Sequence, residues 1–300
     1  MNTPDFNAAA AFVAANARVL DRRRFQRLFE DGPVLGSAPV RDAVAAYRND
    51  DGGFGHALEP DCRAPGSQPA AAEMALRILD EADAWDEDLV RGACDWLVAV
   101  APAEGGAAFV EPTLAGWPHA PWWVPEDGHP ASLVATGMIA GTLYARGVSH
   151  PWLGGATAVM WNRIGALSAS RGGTTSPAGG YEMFGVLRFL QHVPDRDRAR
   201  EAFGRISPLL IERNLVALDP EAPGGVHGVL DFAPKPDSLA RSLFDDVTVK
   251  AHLDHLAQAQ QDDGGWTFNW PSWSPVAELD WRGFLTVDAL RILRANGRLE

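Results

Sequence analysis

Apolar residues recur at spacings of three and four along most of the chain, over residues 6–29, 40–47, 70–81, 86–100, 131–146, 156–168, 181–191, 195–215, 238–260 and 283–294. That period lays one face of a helix on a core, so each segment is predicted to be helical. The two-residue alternation of a half-buried strand is nearly absent, and the predicted class is all-α. Within 70–81, Met74, Ala75, Ile78 and Leu79 line one side while Ala71, Ala72 and Leu76 widen it. A helix apolar over so much of its circumference is expected to be enclosed on two sides.

The connections 50–69, 101–130, 171–180, 218–237 and 262–282 are rich in Gly, Pro and Trp, and each carries a glycine pair. The pairs are Gly52 and Gly53, Gly105 and Gly106, Gly179 and Gly180 (or Gly172 and Gly173), Gly224 and Gly225, and Gly264 and Gly265. A helix that ends needs a residue at positive φ over its free carbonyls, which glycine supplies without steric cost. Two connections are nearly the same phrase. Asp50-Asp51-Gly52-Gly53-Phe54 returns as Asp262-Asp263-Gly264-Gly265-Trp266, and Ala75-Leu76-Arg77-Ile78-Leu79 returns as Ala289-Leu290-Arg291-Ile292-Leu293. Recurrence in the same order at nearly the same spacing marks a repeated helix, turn, helix unit, and it favours one domain over residues 1–300. The aromatic after each glycine pair is expected to pack back on the helix end.

Helix, Asp-Gly-Gly-aromatic, a Pro-containing loop and a helix of the Ala-Leu-x-x-Leu kind resemble the repeat of squalene-hopene type terpene cyclases and of the β subunits of protein prenyltransferases. The stretch Gln260-Gln261-Asp262-Asp263-Gly264-Gly265-Trp266 looks most like it, and the resemblance covers residues 43–82 and 255–297. It implies an α/α toroid, with inner and outer rings of helices around a cavity lined by apolar and aromatic groups. It also implies a hydrophobic isoprenoid-type substrate and acid-assisted carbocation chemistry. The reactive motifs of that family are not in the chain. Nothing fits Asp-x-Asp-Asp, the nearest runs being Asp195-Arg196-Asp197-Arg198 and Asp86-Glu87-Asp88, which read as charged helix starts. Neither Asp80-Glu81-Ala82-Asp83 nor Asp245-Asp246 completes the Asp-Asp-x-x-Asp of a magnesium-bound diphosphate. Asp61 and Cys62 are adjacent, where the zinc-binding prenyltransferases separate Asp from Cys by one residue. No cofactor is therefore expected, magnesium and zinc being unsupported by motif.

Composition narrows the partners. A net charge of −13 repels a phosphate backbone, so nucleic acid is excluded as a general partner. With 46% hydrophobic residues among 300, the chain can bury a large core. Residues 1–11 lack the basic and apolar regions of a signal peptide, and no stretch has the length and apolarity of a membrane span. A cytoplasmic protein with no transmembrane segment, and at most transient membrane contact, is the expectation; the oligomeric state is open. Cys62 and Cys94 belong to no Cys-x-x-Cys pair or zinc-finger spacing.

In a closed helical ring, the N-terminal ends of inner helices and the loops entering them reach the cavity, where helix dipoles also act. Those segments hold His56, Glu59, Asp61, Cys62 and Arg63; Trp122, Trp123, Glu126, Asp127 and His129; Tyr181 and Glu182; Asp231, Lys235 and Asp237; and Trp270, Trp273, Glu278, Asp280, Trp281 and Arg282. A carboxyl group in an aromatic pocket is kept protonated by desolvation, and tryptophan faces stabilise cations. Asp61, Glu59 and Asp280 are the preferred acids, with His56 as a further catalytic candidate. Trp122, Trp123, Tyr181, Asp237, Trp270, Trp273 and Trp281 are the candidates for substrate binding, and none is assigned to metal. Plain structural roles fit several equally well: Asp237 and Asp280 as helix caps, Asp61 in an ion pair with Arg63, and the tryptophans as anchors of long loops. Since sugars also stack on tryptophan, a carbohydrate-active α/α barrel, either lyase or hydrolase, stays open beside the isoprenoid enzyme. His56 with Tyr181 would then be its proton-transfer pair. A non-catalytic toroid scaffold is the third reading.

Overall fold

The computed structural model describes residues 3–30, 36–169, 179–222 and 227–299, so the glycine pairs at 172 and 173 and at 224 and 225 lie outside the described residues. Among the described residues the chain is all-α, with isolated bridges and no strand. It divides into two compact units, one of residues up to Ala43 with those from Asn214 on, the other Val44–Arg213.

The middle unit is a succession of helical hairpins: α4 (Pro69–Glu81) with α5 (Glu87–Ala99), α6 (Leu133–Ala145) with α7 (Trp152–Ala169), and α8 (Gly180–His192) with α9 (Arg196–Glu212). The starts follow from the sequence. Pro69 opens α4 at a position that has no N–H to satisfy, Ser132 Oγ accepts from Ala135 N, and the Asp86 and Asp195 carboxylates cap α5 and α9. The first helix of each hairpin packs on the next such helix, α4 on α6 and α6 on α8, and the second helices form a layer of their own, α5 on α7 and α7 on α9. In α4, Leu76, Ile78 and Leu79 are all buried, as the wide apolar face predicts. Helices α6 and α8 meet backbone to backbone, since a Cβ on Gly137 would overlap the carbonyl of Gly185 and one on Gly185 that of Leu133.

The C-terminal ends of α4, α6 and α8 converge on one carboxylate, which makes the three helices parallel. Asp80 Oδ1 accepts from Arg146 Nε at 2.5 Å, and Asp80 Oδ2 accepts from Arg188 Nη2 at 3.0 Å. Arg146 Nη2 also donates to the Asp80 carbonyl at 2.6 Å. Cations at helix C-termini oppose the exposed carbonyl dipoles, so the network suits its place. The opposite end of this layer carries the three helix N-termini and the long loops.

The terminal unit contains α1 (Phe6–Asn16), α2 (Val19–Phe25), the short α10 (Val229–Phe232), α11 (Asp246–Gln258) and α12 (Pro275–Ala295), while α3 (Ala38–Ala45) forms where a helix is predicted over 40–47. The helix predicted over 6–29 breaks at Ala17, whose backbone is extended and whose Cβ lies where one on Gly283 would come within 2.8 Å. Segment 238–260 likewise yields only a 3-10 turn at Leu239–Leu243 before Asp245 caps α11. Helix α12 starts two turns before its predicted start at 283, because Pro275 sits at its first turn, where proline is compatible with a helix. Asp21 and Arg24 are wholly buried and hydrogen-bonded at 3.0 Å, and the Arg24 guanidinium lies 4.2 Å from the centre of the Phe284 ring. This links α2 to α12 through a cation over an aromatic face.

The repeat inferred from the sequence is the same turn three times. Gly52, Gly105 and Gly264 stand at φ +91, +92 and +90, and their N–H groups donate to Asn49, Pro102 and Gln261 carbonyls at 3.0, 2.8 and 2.8 Å. The acid before each latches the turn to the next first-layer helix. Asp51 Oδ1 accepts from Gly53 N and Ser67 Oγ, Asp263 Oδ1 from Gly265 N and Arg282 Nη2, and a Glu104 oxygen from Ala131 N. Each turn also presses on a second helix: a Cβ on Gly52 would stand 2.6 Å from the Gly92 carbonyl oxygen, and one on Gly105 3.0 Å from Gly155 Cα. Gly264 meets the carbonyl of Ala8 in the same way, and Gly265 meets Phe12 as Gly53 meets Trp96. Helix α1 therefore holds, beside the last turn, the place that α5 and α7 hold beside the earlier two. Trp266 packs back as expected, donating Nε1–H to the Leu256 carbonyl at 2.8 Å. Gly179 differs: at φ −56 it precedes α8 as an N-cap and makes no such turn.

Replacing Gly52 or Gly264 with Ala should combine left-handed strain with a backbone collision, whereas Gly116, at φ +82 with open space around it, meets strain alone. We expect G116A to cost about 1 kcal/mol and G52A and G264A each about 2–4 kcal/mol in urea unfolding. Equal losses in all three would show that the close approach contributes nothing.

Candidate functional site

The loop 101–130 returns along the N-terminal end of the first layer and is fixed there by a buried amide. Gln68, the N-cap of α4 and 1% exposed, accepts from Glu111 N on Oε1 at 2.9 Å. Its Nε2 donates to the Glu111 carbonyl at 3.2 Å and to Thr113 Oγ1 at 2.8 Å. Both backbone groups of Glu111 are thereby held, and its side chain is turned to His129, with Nε2 to Oε1 2.9 Å. His129 follows the left-handed Gly128 and is itself at φ +49, a conformation that a residue with a side chain adopts only under constraint. Its N–H closes a turn on the Glu126 carbonyl at 3.1 Å. Beside the pair lies a cavity of about 10 Å³, room for about one water, lined by Phe109, Val110, Val124, Glu126, His129 and Pro130.

Glu182, on the first turn of α8, completes the group. Burial pushes its carboxyl above the ordinary carboxylate range; the Arg163 charge opposes that shift and the Glu126 charge adds to it. Glu104, bound by the Ala131 N–H and by Arg163, is held below that range. The arrangement offers a carboxyl whose affinity for its proton is raised by burial, a carboxylate–imidazole pair and a further carboxylate, all at the N-terminal end of one helical layer. Proton donation and proton acceptance are the chemistry such groups perform.

The expected residues are distributed differently. Glu59 and Asp61 are buried, but Glu59 Oε2 accepts from Asp61 N at 2.7 Å and the Asp61 carbonyl accepts from Ala120 N at 2.7 Å, which ties this loop to the Trp loop. His56 is exposed and bonded at 2.8 Å to Asn49 Oδ1, in a chain running on through Ser67 to Asp51 and the first turn. Trp123 is buried against Phe109, with ring centres 5.4 Å apart, while Trp122 and Tyr181 are exposed. All of these belong to the middle unit. Asp237, Trp270, Trp273, Asp280 and Trp281 belong to the terminal unit. There Phe268 stacks on Trp270 with centres 4.4 Å apart, and Trp270 meets Trp281 edge-on at 5.5 Å, a ladder at the start of α12. Asp237 lines a shallow groove with Ser238, Arg241 and Phe244, away from that ladder's contacts. Glu126, His129 and Glu182 were legible as loop and helix-start positions; Glu111 carried no signal, because only folding brings it to a histidine 18 residues away.

Burial raises both thiols, Cys94 to about 12, so neither cysteine offers a thiolate. Among the described residues no group of three or more His, Cys, Asp and Glu side chains is placed to hold a metal ion. No helix among them is long and apolar enough to cross a membrane. No protein-family model matches the chain, and no curated protein matches its sequence.

Titration should register in stability with opposite signs. Burial holds His227 and His252 below the ordinary 6.5, against the attraction of Asp231. Their folded forms bind fewer protons than the unfolded chain, so this contribution is present above pH 6.5 and lost as pH falls through it. Glu182 is shifted upward, so its contribution is present below pH 4.5 and lost as pH rises through the folded value. The loss of urea midpoint as pH falls below 6.5 should therefore shrink in a His227→Gln, His252→Gln double variant, and the loss as pH rises above 4.5 should shrink in E182Q. Unchanged profiles in both would refute the burial assigned to these groups.

Proposed function

We propose that this chain is an α/α-toroid enzyme that applies acid-assisted carbocation chemistry to an uncharged, hydrophobic isoprenoid-type substrate, with Glu182 as the acid. Support for a ring comes from the three equivalent turns and from α1 standing in the position of a helix that would otherwise follow α12. Support for the chemistry rests on one feature above all: a carboxyl on the first turn of α8 pushed above its ordinary range by burial, against the Arg163 charge and with Glu126 adding to the shift. Aromatic faces suited to a cation line both the Trp loop and the α12 start. The charge around Glu182 and Glu126 is poorly suited to a diphosphate, which favours a substrate without a charged leaving group.

The second carboxylate gives one alternative its own support. Glu126 beside Glu182 is the kind of pair that hydrolyses a neutral glycan, one carboxyl as acid and the other activating water.

Incubation with linear isoprenoid hydrocarbons and alcohols of increasing length, and separately with neutral oligosaccharides, tests the choice. The isoprenoid reading expects turnover of the former and a loss of about 10²–10⁴-fold in kcat for E182Q with little change in KM. Release of reducing sugar by the wild type would replace it with the glycan reading. Turnover unaffected by E182Q would remove Glu182 as the acid.

A further inference from the structure

We propose that α1 is a strap on the terminal unit: it supplies, from the other end of the chain, the second helix of the pair that α12 begins, and it opens as one body about Ala17 and Arg18 while α2, α11 and α12 stay folded. The proposal is independent of the chemistry assigned to Glu182.

The seat of the strap is built as the earlier pairs are built. Gly264 faces Ala8 as Gly52 faces Gly92, and Gly265 faces Phe12 as Gly53 faces Trp96. Helix α5 reaches its place directly from α4, whereas α1 is brought to the last turn from far away in the chain, Asp5 and Gln260 being 255 residues apart. Arg282 joins the three parts. Its guanidinium lies 4.6 Å from the centre of the Phe12 ring, and its Nη2 donates to Asp263, the acid of the turn, at 2.7 Å.

One amide fastens the strap. Gln260 Oε1 accepts from Asp5 N at 2.7 Å, and Gln260 Nε2 donates to the Asp5 carbonyl at 2.8 Å and to the Gly264 carbonyl at 2.9 Å. Both backbone groups of Asp5 are held, as Gln68 holds those of Glu111, but here the two bonds are exposed and water competes for them. What α1 buries is small. Six of its eleven residues are alanine, which favours helix and covers little surface, and the buried residues within it are Ala9, Phe12 and Val13.

The chain beyond the hinge is held more firmly. Asp21 and Arg24 are wholly buried on α2, and Arg24 reaches both Asp288 and the Phe284 ring on α12. Between the helices Ala17 and Arg18 are extended, each with ψ 157. Ala17 is itself pinned, its carbonyl accepting from Arg22 Nε at 2.8 Å and its Cβ lying against Gly283. A weakly held helix joined through two extended residues to a firmly held one opens by rotation at those residues before the rest of the unit unfolds.

Native-state hydrogen exchange on the full-length protein at low urea tests this. The amides from Ala9 to Ala17 should exchange together, with one free energy that lies below that of α2 and α12. Q260A should raise their exchange about 10-fold, as the loss of two exposed hydrogen bonds requires, and leave α2 and α12 unchanged. Rates that climb residue by residue toward Phe6 are fraying of a chain end and would overturn the strap, as would α1 amides that exchange only together with those of α12. A permuted chain tests the pairing with α12. Phe6 and Phe29 have ring centres 6.0 Å apart, and the Arg294 guanidinium, in the last turn of α12, lies 4.5 Å from the centre of the Phe29 ring, so the start of α1 and the end of α12 meet over one side chain. With residues 3–17 moved behind Arg298 on a short Gly/Ser linker, the moved helix should be protected as in the wild type. Unprotected amides in that helix, in a permutant otherwise folded, would deny α1 its place beside α12.

Discussion

The turn built from an acid, a left-handed glycine and a second small residue is the contact on which the helices of this protein depend. Its glycine stands at φ near +90 and touches the backbone of a neighbouring helix at Gly92, Gly155 or Ala8. Its acid reaches forward to the next first-layer helix, at Ser67 and Ala131 just before two of them and at Arg282 two turns into α12. One short phrase thus fixes three elements at once: the helix that ends, the helix it presses on and the helix that begins. Because a Cβ at the glycine would collide with backbone, which cannot move aside as a flexible side chain can, the spacing of the layers is set by the absence of an atom.

The same close packing separates two kinds of polar group at the two ends of the middle unit's first layer. The C-terminal ends of α4, α6 and α8 are occupied by the Asp80, Arg146 and Arg188 network, which satisfies the charges it contains and offsets the helix dipoles. The N-terminal ends instead receive long loops whose polar groups must find partners away from water. Gln68 does this for Glu111, and Glu104 does it for Ala131. What is left over after those obligations are met is the Glu111 and His129 pair, Glu126 and the half-buried Glu182.

Helix periodicity and the repeated phrase carried the class, the turn positions and the packing of Trp266, because each rests on local chemistry: a 3.6-residue period, a positive φ, an aromatic beside two glycines. The preferred acids were another matter. Glu59 and Asp61 are buried in their loop, where the Glu59 carboxylate accepts from the Asp61 N–H and the Asp61 carbonyl ties the loop to Ala120. A carboxylate that anchors backbone and one that waits for substrate look alike in sequence, and they differ only in what folding brings to them.

By itself, then, the sequence determined that the chain is helical, that it repeats, and that glycine turns separate the helices, since those properties are decided within a few residues of chain. Only the tertiary structure decided which carboxylate is desolvated and which histidine meets a buried glutamate. The raised Glu182 carboxyl reflects its burial, opposed by the Arg163 charge on α7 and reinforced by Glu126, and the Glu111 that meets His129 is held by an amide at the start of another helix. Burial and charge act through space over distances that sequence separation does not record.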